Sequence, residues 1–276
     1  MNNGNDEIKN GNDGIKCGFP AADTKRLLSF VRRAADDYNM IGEGDKIAVG
    51  ISGGKDSLAL LCALHGLQRF YPKKFGLVAV TIGMGLENMD FSEVERYCAF
   101  LGVPFYMYPT EISKIIFDIR KESNPCSLCA KMRRGALHNA AKELGCNKVA
   151  LGHHFDDVID TFMLNLFYEG RIGTFSPVTY LSRTEITVIR PLIYMPEKDI
   201  RYFASRACLP VVESTCPADK NTEREEMKQL LASLDREHKG LRYRIFGAIQ
   251  RGEVDGFREI SRMQGIKAYT DGTTEE

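Results

Sequence analysis

"KIAVGISGGKDSLALLCALHGLQRF", residues 46–70, changes character halfway along. KIAVGIS is a short apolar run that ends in glycines, and SLALLCALHGLQRF has the length and composition of a helix. Strand, tight turn and helix in that order open a βα unit. Read outward, the alternation continues. GLVAVTIG (76–83), PFYMYPT (104–110), NKVALG (147–152), TVIRPLI (187–193) and LPVVES (209–214) are expected strands. FSEVERYCAFLG (91–102), CSLCAKMRRGALHNAAKELG (126–145), the segment through Val158, Ile159, Phe162, Met163, Leu166 and Phe167, and EKDIRYFASRA (197–207) are expected helices. One more helix is expected ahead of them, from Asp23 to Tyr38. Strands and helices alternating across short connections imply a mostly parallel sheet covered on both faces.

The expected fold class is therefore α/β, with a Rossmann-like sheet whose ligands bind beyond the carboxyl ends of the strands. The 276 residues have room for one substantial core or for a nucleotide-binding domain with an appendage. Residues 1–18 nearly repeat themselves (NGNDEIK, then NGNDGIK) and carry few apolar groups, so they are expected to be a disordered tail. A catalytic domain over 19–215 and a helical C-terminal extension over 216–276 complete the division. From Thr222 to about Gln250 the pattern is helical and charged, with Met227, Leu230, Leu231 and Leu234 on one face. That segment is either an appendage or the packing of the sheet's last flank.

Thirty-seven basic and thirty-seven acidic side chains cancel, so any nucleic-acid binding must come from local clustering. No run is long and apolar enough to span a bilayer, and the polar opening MNNGNDEIKNGNDGIK lacks the apolar core of a secretory signal. The expected location is the cytoplasm, with no membrane partner. There the eight cysteines are thiols rather than disulfides, and a cluster of them is read first as a metal site.

SGGKDS (52–57) is the first strand-to-helix turn. Its glycines let the backbone approach a ligand closely, and N–H groups at a helix start favour anions, so the place suits a phosphate. It is not a Walker loop, because GxxxxGK[ST] would need glycine at Val49 and a hydroxyl at Asp56. The bland alternative is a glycine turn that merely starts a helix. ALGHHFDDVIDTFMLNLF (150–167) places His153, His154, Asp156 and Asp157 at another such junction. Carboxylates there can hold magnesium on a triphosphate, or simply cap the helix. Adjacent histidines at a strand end point apart, so a zinc pair is not expected.

PCSLCAKMRR (125–134) sets Cys126 and Cys129 at a helix start with Arg133 on the same face. A helix N-terminus and nearby cations lower a thiol's pKa and favour metal ligation or nucleophilicity. Alone, a CxxC is compatible with half-buried thiols, a redox pair, half a zinc ribbon or part of an iron–sulfur site. No second close pair exists to complete a ribbon. Cys17, Cys62, Cys98, Cys146 and Cys208 sit in the tail, in apolar helix patterns or beside elements, as ordinary thiols do. Cys216, in the polar loop STCPADKNTERE at the end of an expected strand, is the best candidate for a third ligand.

SGGKDS after a strand resembles the PP-loop of the ATP pyrophosphatase superfamily, which cleaves ATP between its α and β phosphates. The resemblance implies AMP transfer, with Ser52, Gly53, Gly54, Lys55 and Ser57 around the departing pyrophosphate and Asp56 near magnesium. LGHHFDD resembles the second motif of PP-loop enzymes that modify tRNA. Taken in order over residues about 25 to 250, SGGKDS, PCSLCAKMRRG, LGHHFDD and VIRPL resemble the tRNA 2-thiocytidine synthetase family. In that family ATP adenylates O2 of an anticodon-loop cytidine (position 32), and a [4Fe–4S] cluster held by three cysteines delivers sulfur to C2. The resemblance implies Cys126, Cys129 and Cys216 as cluster ligands and, with Lys55 and Asp56, as catalytic residues. It implies Ile82, Gly152, His153 and Asp157 as further nucleotide contacts. ATP, Mg²⁺ and the cluster are the implied cofactors. tRNA, a cysteine desulfurase or other sulfide source, and a second copy of the chain are the implied partners, with Lys131, Arg133, Arg134, Arg171, Arg201 and Arg206 as candidate RNA contacts.

TCPADKNTERE departs from the CxLC-type segment of the best-known members, and its Cys-Pro also resembles the tRNA 2-thiouridine synthetases, whose flanking CxxC pairs are absent here. A lysidine synthetase-type ligase, which needs no cysteine cluster, and a non-catalytic nucleotide- or metal-binding regulatory module are the remaining alternatives.

Overall fold

The computed structural model describes residues 21–85, 89–120, 125–213, 215–216 and 223–260. The expected tail, Cys17 and most of the polar loop after Cys216 lie outside them. Six strands, β1 (Asp45–Gly50), β2 (Phe75–Gly83), β3 (Phe105–Pro109), β4 (Lys148–Ala150), β5 (Val178–Leu181) and β6 (Ile186–Ile189), form one sheet in the order β3-β2-β1-β4-β6-β5. All neighbours run parallel except β5 and β6. The α/β reading is met.

Helices α1 (Ala21–Asp37) and α2 (Lys55–Gln68) lie on one face, and α3 (Ser92–Phe100) connects β2 to β3. α2 is apolar around nearly its whole circumference, and accordingly Leu58 through Leu64 are buried. On the other face a short helix α4 (Ile112–Lys114), continuing as a π-helical turn (Ile115–Arg120), and α5 (Pro125–Glu143) cover the sheet. Ile112, Ile116, Leu137, Ala140 and Ala141 pack there against Ala48, Val78, Val80 and Val149. The π-helical turn had no counterpart in the sequence pattern. α6 (Phe155–Tyr168) and α7 (Glu197–Arg206) follow β4 and β6.

The chain steps outward from β1 to β3, then returns over α5 to place β4 on the other side of β1. That reversal opens a crevice between the carboxyl ends of β1 and β4, the usual ligand position in such sheets. SGGKDS follows β1 and GHHFDD follows β4, so both motifs stand at this crevice.

Two strand expectations change, and one strand is new. TVIRPLI ends as a strand at Ile189, since Pro191 has no N–H to give a ladder. It pairs with β5, an antiparallel edge strand that the pattern did not reveal. LPVVES is not a strand: the flank beside β6 is occupied by β5, and the Val212 N–H instead donates to the Gly53 carbonyl at 3.0 Å. Residues 209–213 are an extended strap over the glycine loop.

At the C-terminal side, α8 (Glu223–Glu237) and α9 (Leu241–Arg251) meet at Gly240, whose φ of +77° suits glycine. Met227, Leu231, Phe246, Ile249 and Phe257 join the main core with Leu27 and Phe203. These helices pack as part of the sheet's flank.

Candidate active site

A cavity of about 550 Å³ opens beyond the carboxyl ends of β1, β2 and β3. Ile51, Ser52 and Gly54 form one wall, Thr81 to Gly85 the floor, and Cys126, Cys129 and Arg133 of α5 the facing wall. Val212 of the strap and Cys216, just past it, complete the lining. Ser52, Gly54, Ile82 and all three singled-out cysteines therefore share one space, although more than seventy residues separate the glycine loop from Cys126 in sequence.

The loop is fixed by its own residues. Gly53 has φ of +87°, and a Cβ there would lie 2.9 Å from Cβ of Val212, so both backbone and packing require glycine. The Ser57 hydroxyl donates to the Gly54 carbonyl at 2.8 Å and accepts the Ser52 N–H at 3.2 Å. The Gly54 N–H donates to Ser52 Oγ at 3.3 Å. A Cβ on Gly152 would come within 3.0 Å of the Asp56 and Ser57 backbone, so this glycine lets the β4 end press against the start of α2.

Behind the loop lies a charged chain that does not line the cavity. Lys55 Nζ is 3.1 Å from Asp56 Oδ2 and 2.9 Å from Glu197 Oε1. Burial lowers the lysine's pKa, but Asp56 and Glu197 outweigh it and hold the ammonium above its ordinary value. Burial likewise opposes ionisation of Glu197, yet Lys55 and Arg201 bring its carboxyl down to about 2. Asp56 Oδ1 is buried with no hydrogen-bond partner, 3.8 Å from Nε2 of the buried His154.

The α6 start answers the choice between capping and ligand binding in part. His154 is its N-cap, and Asp157 closes a capping box by accepting the His154 N–H at 3.0 Å. Asp157 Oδ1 remains 3.5 Å from Arg224. Asp156 fastens the site from behind: it accepts the Glu197 N–H at 2.7 Å and pairs with Arg242 at 3.0 Å. His153 is half-buried at the strand end with its ring tilted against Phe175 at 4.8 Å between centres, and burial with nearby Arg190 lowers its pKa to about 4. It is neutral at pH 7.

Among the cysteines, Cys126 is exposed while Cys129 and Cys216 are half-buried. The expected depression of the thiol pKa is reversed at Cys129. Burial raises it more than Arg133 lowers it, and Cys216 and Cys126 are close enough to raise it further. Cys62 and Cys98 are buried thiols pushed up to about 12, as inert structural cysteines are. Among the described residues no three His, Cys, Asp or Glu side chains converge on one ion position. Cys126, Cys129 and Cys216 share the lining of one cavity.

Two contributors were missed by sequence reasoning. Glu197 opens the helix after β6, where an acidic residue at a parallel strand's carboxyl end was a usable signal. Val212 has none, because its role comes only from where the strap lands.

Residues 25–234 match the family described as the PP-loop domain. The chain is 42% identical over 228 residues to a tRNA-cytidine(32) 2-sulfurtransferase of Pelobacter propionicus, covering 82% of this chain and 85% of the relative. The enzyme of that name from Geobacter sulfurreducens is 40% identical over 228 residues, with 82% and 89% covered. Among solved structures, the fold is similar to the U34-tRNA thiolase NcsA from Methanococcus maripaludis with its [4Fe–4S] cluster, at a TM-score of 0.69 and 26% identity, covering 83% of this chain and 78% of that one.

Proposed function

The chain belongs to the PP-loop family and, within it, to the tRNA-cytidine(32) 2-sulfurtransferases, and from that premise we propose that it replaces O2 of an anticodon-loop cytidine with sulfur at the expense of ATP. The observation that carries this reading is the single cavity bounded by the glycine loop on one side and by Cys126, Cys129 and Cys216 on the other.

A ring carbonyl oxygen is a poor leaving group, so substitution needs activation. O2 attacks the α-phosphorus of ATP, the bond from that phosphorus to the bridging oxygen breaks, and pyrophosphate leaves with the electron pair. A nucleophile at the sulfide oxidation level then adds at C2, and AMP departs with O2. Ser52, Gly53, Gly54, Lys55 and Ser57 hold the pyrophosphate: the start of a 14-residue helix presents N–H groups, and the Lys55 ammonium supplies charge where it develops. Asp56 fits a magnesium ligand because its buried Oδ1 has no protein partner among the described residues. Ile82 supplies apolar floor for the nucleotide. Gly152, His153 and Asp157 shape the second edge of that site and keep the α6 start pressed on the loop.

The cysteine wall fits a [4Fe–4S] cluster, since it offers three soft thiolate donors and too few for a closed zinc site. When bound by three cysteines, such a cluster leaves one iron without a protein ligand, where sulfur can be carried. Cys126, Cys129 and Cys216 would hold it, and Arg133 would stand beside their negative charge. A sulfide source is the required upstream partner, and a cysteine desulfurase, which delivers persulfide sulfur, would serve together with a two-electron reductant. Among the described residues no helix is long and apolar enough to cross a membrane, and action on tRNA supports the cytoplasm as the place of work.

Mass spectrometry of tRNA nucleosides with and without the gene tests the proposal. Loss of 2-thiocytidine is the expected result. Loss of 2-thiouridine instead would move the reaction to the base named for the structural neighbour, and no change in either would sink the reading.

A further inference from the structure

A second cleft, of about 670 Å³, opens between α7 and α9 over the start of α6, and shares no lining residue with the cysteine cavity. The buried Phe155 and Pro196 form its floor, Tyr202 of α7 and Tyr243 of α9 line it, and Lys198 and Arg201 stand beside Tyr202. Both tyrosines are more than half exposed, at 57% and 59%. Tyr243 is nonetheless fixed. Its ring lies 5.0 Å from that of Phe155, which lies 4.8 Å from the buried Phe246, so an aromatic column runs out from the core and ends at an uncovered ring. A ring anchored in this way offers a stacking face that does not have to be ordered first.

The acids of the cleft are already engaged. Glu197 holds Lys55 at 2.9 Å and Arg201 at 3.1 Å, Asp156 accepts the Glu197 N–H and pairs with Arg242 at 3.0 Å, and Asp235 accepts the Arg242 N–H at 3.4 Å. Lys198 forms no ion pair among the described residues, and the side chain of Arg201 stays 72% exposed despite its contact with Glu197. An anion entering the cleft therefore meets exposed cations while each carboxylate is occupied. The position of the cleft narrows the choice of anion. Gly54 lines the cysteine cavity, Glu197 lines this cleft, and the side chain of Lys55 joins them. The two spaces stand one lysine side chain apart.

We propose that this cleft receives an unpaired nucleotide of the tRNA substrate, its base stacked on the tyrosines and its phosphate beside Lys198 and Arg201. The proposal rests on the reading of tRNA as substrate. A base that enters the cysteine cavity has left its stack, and the loop nucleotides next to it lose partners that aromatic rings can replace. Stacking of this kind tolerates any base, so the cleft holds the loop without selecting its sequence.

The test uses the full chain with its cluster reconstituted and the variants Tyr202→Ala, Tyr202→Phe, Tyr243→Ala, Tyr243→Phe and Lys198→Gln. Equilibrium binding is measured to an unmodified tRNA transcript at several salt concentrations, and separately to ATP with magnesium. Alanine at either tyrosine should weaken tRNA roughly tenfold with ATP unchanged, and phenylalanine, which keeps the ring, should bind as the parent does. Lys198→Gln should weaken tRNA and reduce the salt slope by about one. Should Tyr243→Ala uncover Phe155 and fail to fold, Tyr202→Ala and Lys198→Gln change exposed side chains and still decide. Folded alanine variants that bind tRNA as the parent does overturn the proposal. Phenylalanine variants as weak as the alanine ones also overturn it, by assigning the hydroxyls instead of the rings. Intact tRNA binding with slower sulfur delivery from a cysteine desulfurase would give the cleft to a protein partner, and the proposal fails there too. The thiolation reading fails separately, by absence of thiolated nucleosides with the parent protein.

Discussion

On one side of the cavity, Ser52 to Ser57 hold one another in place: a hydroxyl bonded to two loop groups, a glycine at φ of +87°, and a strap donating back to the turn. On the other side, three cysteines stand at a helix start and just past that strap, one exposed and two half-buried, with Arg133 beside Cys129. The difference follows the chemistry proposed for each side. Stabilising charge on a departing pyrophosphate requires donors that are already aimed, because donors that must reorganise lose their advantage. Metal–sulfur bonds supply their own ordering energy when they form, so cluster ligands need only be brought near one another.

If the two walls are separable in this way, each can be broken without the other. Cys216→Ser should abolish thiolation and iron retention while tRNA-dependent pyrophosphate release stays within a few-fold of the parent. Iron analysis and a pyrophosphate assay on one preparation measure both, and loss of both activities together would join the walls into one unit. Lys55→Ala should do the reverse. Iron content should be unchanged and pyrophosphate release should fall about a hundredfold, the usual effect of removing one preorganised donor.

This contrast also explains what the sequence disclosed. The βα alternation, the glycine loop and the CxxC were legible because each is local: a period, a turn that needs glycine, a spacing of three. Cys216 was singled out only through its place after an expected strand, and although no strand forms over residues 209–213 the residue still lines the cavity. Glu197 and Val212 act through residues far away in sequence, Lys55 and Gly53, and no local pattern encodes such a pairing. The sign at Cys129 was missed for a related reason. Helix start and cation could be read from the string, whereas burial, which dominates, depends on the assembled cavity.

Glu197 sharpens the comparison through pH. Its carboxyl is brought from an ordinary 4.5 to about 2 by Lys55 and Arg201 against the opposing effect of burial. A depressed carboxylate stabilises the fold fully above its unfolded pKa and loses that contribution as pH falls through the folded one. Glu197→Gln should therefore cost about 1–3 kcal/mol at neutral pH, read as a lower melting temperature. The gap between variant and parent should close between pH 4.5 and about 2. A gap that persisted unchanged at the acid end would mean that the pair contributes shape rather than charge.

The smallest expected effect marks where the cysteine wall ends. Cys208 lies at the start of the strap, exposed, with φ of +47°, and does not line the cavity. An exposed side chain away from caps, pairs and core changes stability by no more than about 0.5 kcal/mol when replaced. Cys208→Ser should accordingly leave iron content, thiolation and melting temperature as they are. Loss of iron in that variant would show that the strap presents two thiols rather than one. The proposed three-cysteine set would then have to be redrawn.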